Sequence, residues 1–358
     1  MKTAWSWIIG CAVAWGCSAG SEEPGDDAGP EITVSDGFAA DLLADGFAAD
    51  LLADGAAPEA PGELPVLDGP APDGPGLFQV TTVEDQVLRG DRTIPVVAHM
   101  PEEAEGPLPL IVFLPGFQAK SDWYAGTMDY LASHGFVVVR AQPPGGFLDV
   151  NHVEMAADVT AVLDWALNPA GPLEGRADPD RIGLTGHSLG GKIATMSAFR
   201  DGRATALLPL DPVNGGNPFT GFTEELPDIV PDEVAPLAIP VGFIGETPSA
   251  QGSSDSLPAC APADGNFTTF YEAAASAPWK ASWDLLEAGH MDFVDDFATC
   301  GFACELCVRG NADPTIVLAT VRTLATAFFR RHLLGETAMD AWLIGPGLPQ
   351  GVAVKHSF

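Results

Sequence analysis

"GLTGHSLGGKIA", residues 183–194, is the stretch whose reading decides the fold. Ser188 stands in the pentapeptide Gly186-His187-Ser188-Leu189-Gly190, with a short apolar run before it and helix-forming residues after it. The pattern G-x-S-x-G that it fits recurs by chance in roughly one chain in ten of this length. The flanks carry the argument. "RIGLTGH" (181–187) reads as a strand buried on both faces, and the residues from about Leu189 to Arg200 read as a helix. A serine on a glycine-rich turn between a buried strand and a helix has the setting of an exposed nucleophile. The helix N-terminus there favours developing negative charge.

On either side of this stretch the same texture repeats. "LPLIVFLPGF" (108–117) and "FVVVRAQ" (136–142) are continuous apolar runs, as expected of strands covered on both faces. "DWYAGTMDYLASHG" and "HVEMAADVTAVLDWAL" have helical spacing. "LFQVTTVEDQVL" and "TIPVVAHM" read as strands joined by the turn Arg89-Gly90-Asp91. Downstream follow "ATALLPLDP", "LAIPVGFIG", a helix near 267–275, a strand near "ASWDLLEAG" and a last helix over 315–333. Alternation of strands and helices predicts an α/β fold, a mostly parallel sheet with helices on both faces.

Ligands of such sheets bind at the carboxyl ends of the strands. Ser188, Asp211 and His290 each follow a predicted strand, in the chain order Ser, Asp, His. A serine hydroxyl becomes nucleophilic when a base takes its proton, and the base needs a carboxylate to fix its tautomer. The reading assigns Ser188 as nucleophile, His290 as base and Asp211 as orienting acid. Glu246, just past "PVGFIG", is the rival acid. Two backbone N–H groups should face the developing oxyanion, those of Leu189 and of Phe117 in the loop after "IVFLPG". His187, His134 and His152 read as structural, and Asp292, Asp295 and Asp296 as an acidic loop rather than a cation site.

The chain has 358 residues, a net charge of −33 and only 16 Lys and Arg, which excludes a phosphate-binding surface for nucleic acid. Much of the acidity is local, because residues 18–75 hold 14 Asp and Glu and no basic residue. This segment is rich in Gly, Pro and Ala and contains "DGFAADLLA" twice, at 36–44 and 45–53. Two copies cannot stack a repeat core, so it reads as a disordered acidic tether. The opening "MKTAWSWIIGCAVAWGC" reads as a signal peptide over 1–17. Ala14-Trp15-Gly16-Cys17 resembles a bacterial lipoprotein cleavage box with Cys17 as the lipidated residue; Cys11 is a rival and a plain signal peptide the alternative. The expected product is exported and held to a bacterial membrane by lipid, with the catalytic domain at 76–358.

Cys260, Cys300, Cys304 and Cys307 remain in the mature chain. Their spacing lacks the paired C-x-x-C of a zinc site, and export favours oxidation into two disulfides of open connectivity. Such bridges would tie the segment after His290 to the segment before the helix at 267.

The segments "LPLIVFLPGF", "LASHGFVVVRAQ", "TGHSLGGKIA", "LPLDPVNG", "ACAPADGNFTTFYEAA" and "EAGHMDFVDD" resemble, in matching order, the chlorophyllase family of α/β-hydrolases over roughly residues 78–333. "SHGFVV" and "PGF" are also similar to pieces of bacterial polyester hydrolases and cutinases, and the serine-to-acid spacing resembles that of platelet-activating-factor acetylhydrolases. The resemblance implies hydrolysis of a carboxylic ester through an acyl-serine intermediate, without metal or organic cofactor. Asp211 matches the family's acid in "DPV". Leu189 and Pro115 depart from the Arg and His that plant chlorophyllases carry there. The competing expectations are a cutinase-like polyester hydrolase and a non-catalytic surface lipoprotein on the same fold. A small ester or lipid is the expected partner.

Overall fold

In Leu108–Leu114 (β3) every residue after Leu108 is buried, and alternate side chains enter different cores. Leu110, Val112 and Leu114 join one apolar cluster, while Ile111 and Phe113 join the other. A two-residue period places them on opposite faces, so both faces need a helical cover. The computed structural model describes residues 64–146, 149–217, 220–251 and 259–358, and those covers are present in it.

The sheet has the order β1-β2-β4-β3-β5-β6-β7-β8-β9. In chain order the strands are β1 (Val80–Arg89), β2 (Arg92–Pro101), β3, β4 (Val137–Ala141), β5 (Ala177–His187), β6 (Ala206–Leu210), β7 (Val241–Gly245), β8 (Lys280–Leu285) and β9 (Val352–Ser357). The inner strands from β4 to β8 pair in parallel, and β1, β2 and β9 add antiparallel edges. This is the mostly parallel sheet of an α/β-hydrolase fold. Helices α1 (Ala125–Ser133), α2 (His152–Leu167), α3 (Leu189–Asp201), α4 (Phe267–Ala273), α5 (Phe297–Cys300), α6 (Pro314–Leu333) and α7 (Asp340–Leu343) complete it. α2 and α3 pack on one face, where Val159, Val162 and Ile193 meet Leu110 and Val112 in one cluster. α1 and α6 cover the other, with Met128, Leu131, Val321 and Phe328 clustering with Phe113.

The chain runs from β3 to β4 on one side, then returns to place β5 on the other side of β3. Between β3 and β5 lies the switch point at which ligands of open parallel sheets bind. No helix among the described residues is long and apolar enough to cross a membrane.

Two features differ from the sequence reading. The C-terminal β9 was not expected, because its exposed, Lys- and His-containing residues give a weak strand signal. The docked chain also starts ahead of residue 76. The carbonyls of Pro72 and Gly74 accept from the Tyr130 hydroxyl, that of Pro70 from Arg330, and Leu67 packs on the α6 cluster. The segment read as a signal peptide, Cys17, and the part read as a tether up to residue 63 lie outside the described residues.

Candidate active site

β5 ends at His187 and α3 begins at Leu189, which leaves Ser188 to make the whole turn. Its backbone stands at φ 56°, ψ −121°, a region costly for a residue with a Cβ. Serine at a helix N-cap ordinarily turns its hydroxyl onto the first N–H groups. Ser188 makes no such cap, so its Oγ is available to other partners. The turn closes only because the motif glycines lack side chains. A Cβ at Gly190 would sit 2.1 Å from the Leu114 carbonyl oxygen, and one at Gly186 would sit 2.5 Å from the Gly190 backbone. Hydrogen bonds fix the turn further, from Ser188 N–H to Leu210 O and from Val213 N–H to Ser188 O.

Asp211 leaves β6 with φ 42°, another strained position, and is fully buried. His290 follows β8 at the start of a 3-10 turn, His290–Phe293. Its Nδ1 lies 2.6 Å from Asp211 Oδ2 and its Nε2 lies 2.9 Å from Ser188 Oγ. An ionised carboxylate only accepts hydrogen bonds, so Nδ1 carries the ring proton and Nε2 offers its lone pair to the serine hydroxyl. Of the two candidate acids, it is Asp211 that meets the imidazole. The structure thus brings Ser188, Asp211 and His290 together. Glu246 is buried behind them, its N–H donating to Asp211 Oδ1 at 3.3 Å.

The loop after β3 passes directly over the serine, since a Cβ at Gly116 would lie 3.2 Å from Ser188 Cβ. Phe117 and Leu189 both line a cleft of about 170 Å³, together with Val150, Met155 and Gly145. Leu189 is the first residue of α3, so its N–H precedes the helix's own hydrogen-bond ladder. Phe117 is 44% exposed at the rim.

His187 has a larger part than its variable motif position suggested. It is buried, its Nε2 meets the His290 carbonyl oxygen at 2.8 Å, and its Nδ1 meets the Tyr124 hydroxyl at 2.8 Å. A carbonyl can only accept, so Nε2 carries the proton and the Tyr124 O–H donates to Nδ1. Burial and the neighbouring His290 hold His187 well below the usual histidine range, so it stays neutral. Tyr124 is fully buried, and burial pushes its phenol up while a Gly116 backbone hydrogen bond opposes the rise. No sequence signal marked this chain of contacts. Lys192 was also missed: one turn into α3 it donates to the Gly215 and Pro227 carbonyls, and burial lowers its ammonium to about 7. It thereby ties the chain after Asp211 to α3.

His187, Asp211 and His290 lie close enough to hold a metal ion. Their ring nitrogens and carboxylate are already engaged in the hydrogen bonds given above, which account for the cluster. The acidic loop is structural throughout. Asp292 accepts from Gly289 N–H, Asp295 binds Thr127 and Arg322, and Asp296 caps α5. The cysteines pair as Cys260–Cys307 and Cys300–Cys304. Only the first joins distant segments; the expectation that both would do so is corrected by the four-residue spacing of the second.

The Chlorophyllase family model matches residues 73–345. Chlorophyllase-1 of Arabidopsis thaliana is 29% identical over 285 residues, covering 74% of this chain and 84% of that protein. Chlorophyllase-1, chloroplastic, of Citrus unshiu is 29% identical, with 68% and 73% covered. Chlorophyllase type 0 of Chenopodium album is 28% identical, with 72% and 77% covered.

Proposed function

This chain belongs to the chlorophyllase family, and on that premise we propose that it cleaves carboxylic esters through an acyl-serine intermediate on Ser188. Family membership implies carboxylic ester hydrolase activity. The mechanism is the finer reading, and the observation that carries it is the contact of His290 with Ser188 Oγ on one side and Asp211 on the other. Nε2 takes the hydroxyl proton as Oγ attacks the ester carbonyl, and Asp211 stabilises the imidazolium that forms. The N–H groups of Leu189 and Phe117 receive the oxyanion. His290 then returns the proton to the leaving alcohol, and water, deprotonated by the same nitrogen, frees the acid.

The cleft of about 170 Å³ beside Phe117, Val150, Met155 and Leu189 suits a short apolar group, acyl or alcohol, next to the carbonyl. The N-terminal sequence supports export and lipid anchoring through Cys17, with the domain held at a bacterial membrane surface. Turnover of p-nitrophenyl butyrate, stoichiometric labelling of Ser188 by an organophosphonate, and loss of both in Ser188→Ala test the mechanism. A label on another residue overturns the assignment. Retention of more than about a tenth of the activity in Ser188→Ala does the same. Absence of turnover on any ester would favour a binding protein. Recovery of a Cys17→Ser variant in the soluble fraction tests the anchor.

A further inference from the structure

Behind the Ser188–His290–Asp211 contacts lies a second carboxyl group that the mechanism does not use. Glu246 follows β7, has no solvent exposure, and receives a hydrogen bond from Ser249 N–H on Oε2 at 2.8 Å. Its Oε1 has no hydrogen-bond partner among the described residues. An orphaned, fully buried carboxylate oxygen is costly, and here the Asp211 carboxylate, bonded to the Glu246 N–H, acts on it as well. Two ionised carboxylates in one dry pocket repel, whereas one shared proton turns the repulsion into a hydrogen bond.

We propose, building on the acyl-serine reading, that Glu246 is a positioning residue that carries a proton and donates it in a hydrogen bond to Asp211. Asp211 then has a defined set of partners: the His290 Nδ1–H on Oδ2, the Glu246 N–H on Oδ1, and the Glu246 carboxyl proton. The same loop reaches the histidine by a second route, because the Ser249 hydroxyl accepts from His290 N–H at 3.2 Å and donates to the Val308 carbonyl. Glu246 and Ser249 thus hold the acid and the base of the site from one short segment. Burial and then the Asp211 charge push Glu246 up to about 9, in the direction the geometry requires. The other ionisable groups facing this pocket are Asp284 on β8, also raised, and His290; Lys355 on β9 faces Asp284. Only the hydrogen bonds from Ser249 oppose the rise of Glu246, and no cation among the described residues does.

Loss of the Glu246 proton would set a second negative charge against Asp211 and disturb the imidazole it holds. The expected consequence is an alkaline fall of kcat/KM with a midpoint near the Glu246 ionisation. Glu246→Gln keeps a donor to Asp211 without an ionisation. It should therefore keep at least about a tenth of the wild-type activity and lose the alkaline fall, whereas Glu246→Leu should lose about a hundredfold or more. Infrared spectroscopy of the full chain reads the proton without reference to activity. Wild type and Ser188→Ala should both show a protonated-carboxyl band at neutral pH that is absent from Glu246→Gln. Should Glu246→Gln fail to fold, alkaline titration of that band in wild type reads the same proton. A carboxylate signature for Glu246 at neutral pH, or an alkaline fall unchanged in Glu246→Gln, overturns the proposal. Because the infrared result does not depend on turnover, failure of the acyl-serine reading would leave it interpretable.

Discussion

Ser188 Oγ and His290 Nε2 stand 2.9 Å apart although 102 residues separate them in the chain. Each is held at the carboxyl end of its own strand, β5 for the serine and β8 for the histidine. Asp211 completes the row from β6, and its contact with Nδ1 determines which histidine nitrogen is bare. Asp211→Asn should therefore lower kcat by on the order of 10⁴, through the wrong tautomer rather than through unfolding. Steady-state kinetics on one short-chain ester, with circular dichroism to confirm the fold, measure this. A loss below about tenfold would show that another group orients His290.

Stability should carry the signature of the second carboxyl. Glu246 lies near 9 in the folded protein against an ordinary 4.5, so between those values the unfolded chain has released a proton that the native state retains. Stability must then fall as pH rises through that window. Glu246→Gln removes this slope, and the difference in Tm between variant and wild type should widen in the variant's favour from about pH 5 to pH 8. Asp284, raised to about 6 mainly by burial, acts in the same direction in both proteins and cancels from the comparison. Thermal melts at several pH values decide it; a constant or narrowing difference contradicts the sign.

The two disulfides should differ in their effect. Cys260–Cys307 closes a span of 47 residues and Cys300–Cys304 a span of four. Loop-closure entropy gives about 4 kcal/mol for the first and about 2 kcal/mol for the second. Paired serine variants, melted side by side, should rank in that order. The first pair should also lower activity, since Val308, next to Cys307, accepts from the Ser249 hydroxyl that holds the His290 backbone.

Truncation should expose where the folded unit begins. Removing residues up to 63 spares the contacts of Pro70, Pro72 and Gly74 with Arg330 and Tyr130, and removing residues up to 75 deletes them. The shorter chain should melt lower by several degrees, corresponding to roughly 1–2 kcal/mol. Equal melting temperatures would mean that this docking contributes nothing.

The buried strands were legible in the sequence because β3 and β4 are short runs, apolar at nearly every position and flanked by Gly or Pro. Ser188, Asp211 and His290 were legible because each follows such a strand. The part that stayed hidden is pairwise and three-dimensional. Asp211 and Glu246 end adjacent parallel strands, and nothing in one dimension says which carboxylate turns toward the imidazole. His187 was read as structural, but its partners were hidden because Tyr124 and the His290 carbonyl are 63 and 103 residues away. The segment 66–74 looked like more tether, since its composition continues that of the preceding residues while its polar contacts are made through backbone carbonyls.

The His187 contact also bears on how a substrate arrives. His290 is fastened by its backbone carbonyl to His187, by its N–H to Ser249, and by its ring to Asp211 and Ser188. Swinging that loop aside would break all four attachments together, so the β8 side of the site behaves as a closed wall. Ester and product would instead pass along the bank lined by Phe117, Gly145 and Val150, beside the cleft. Selectivity for one ester over another would then be rewritten on that bank alone, leaving Asp211, His290 and their supports untouched.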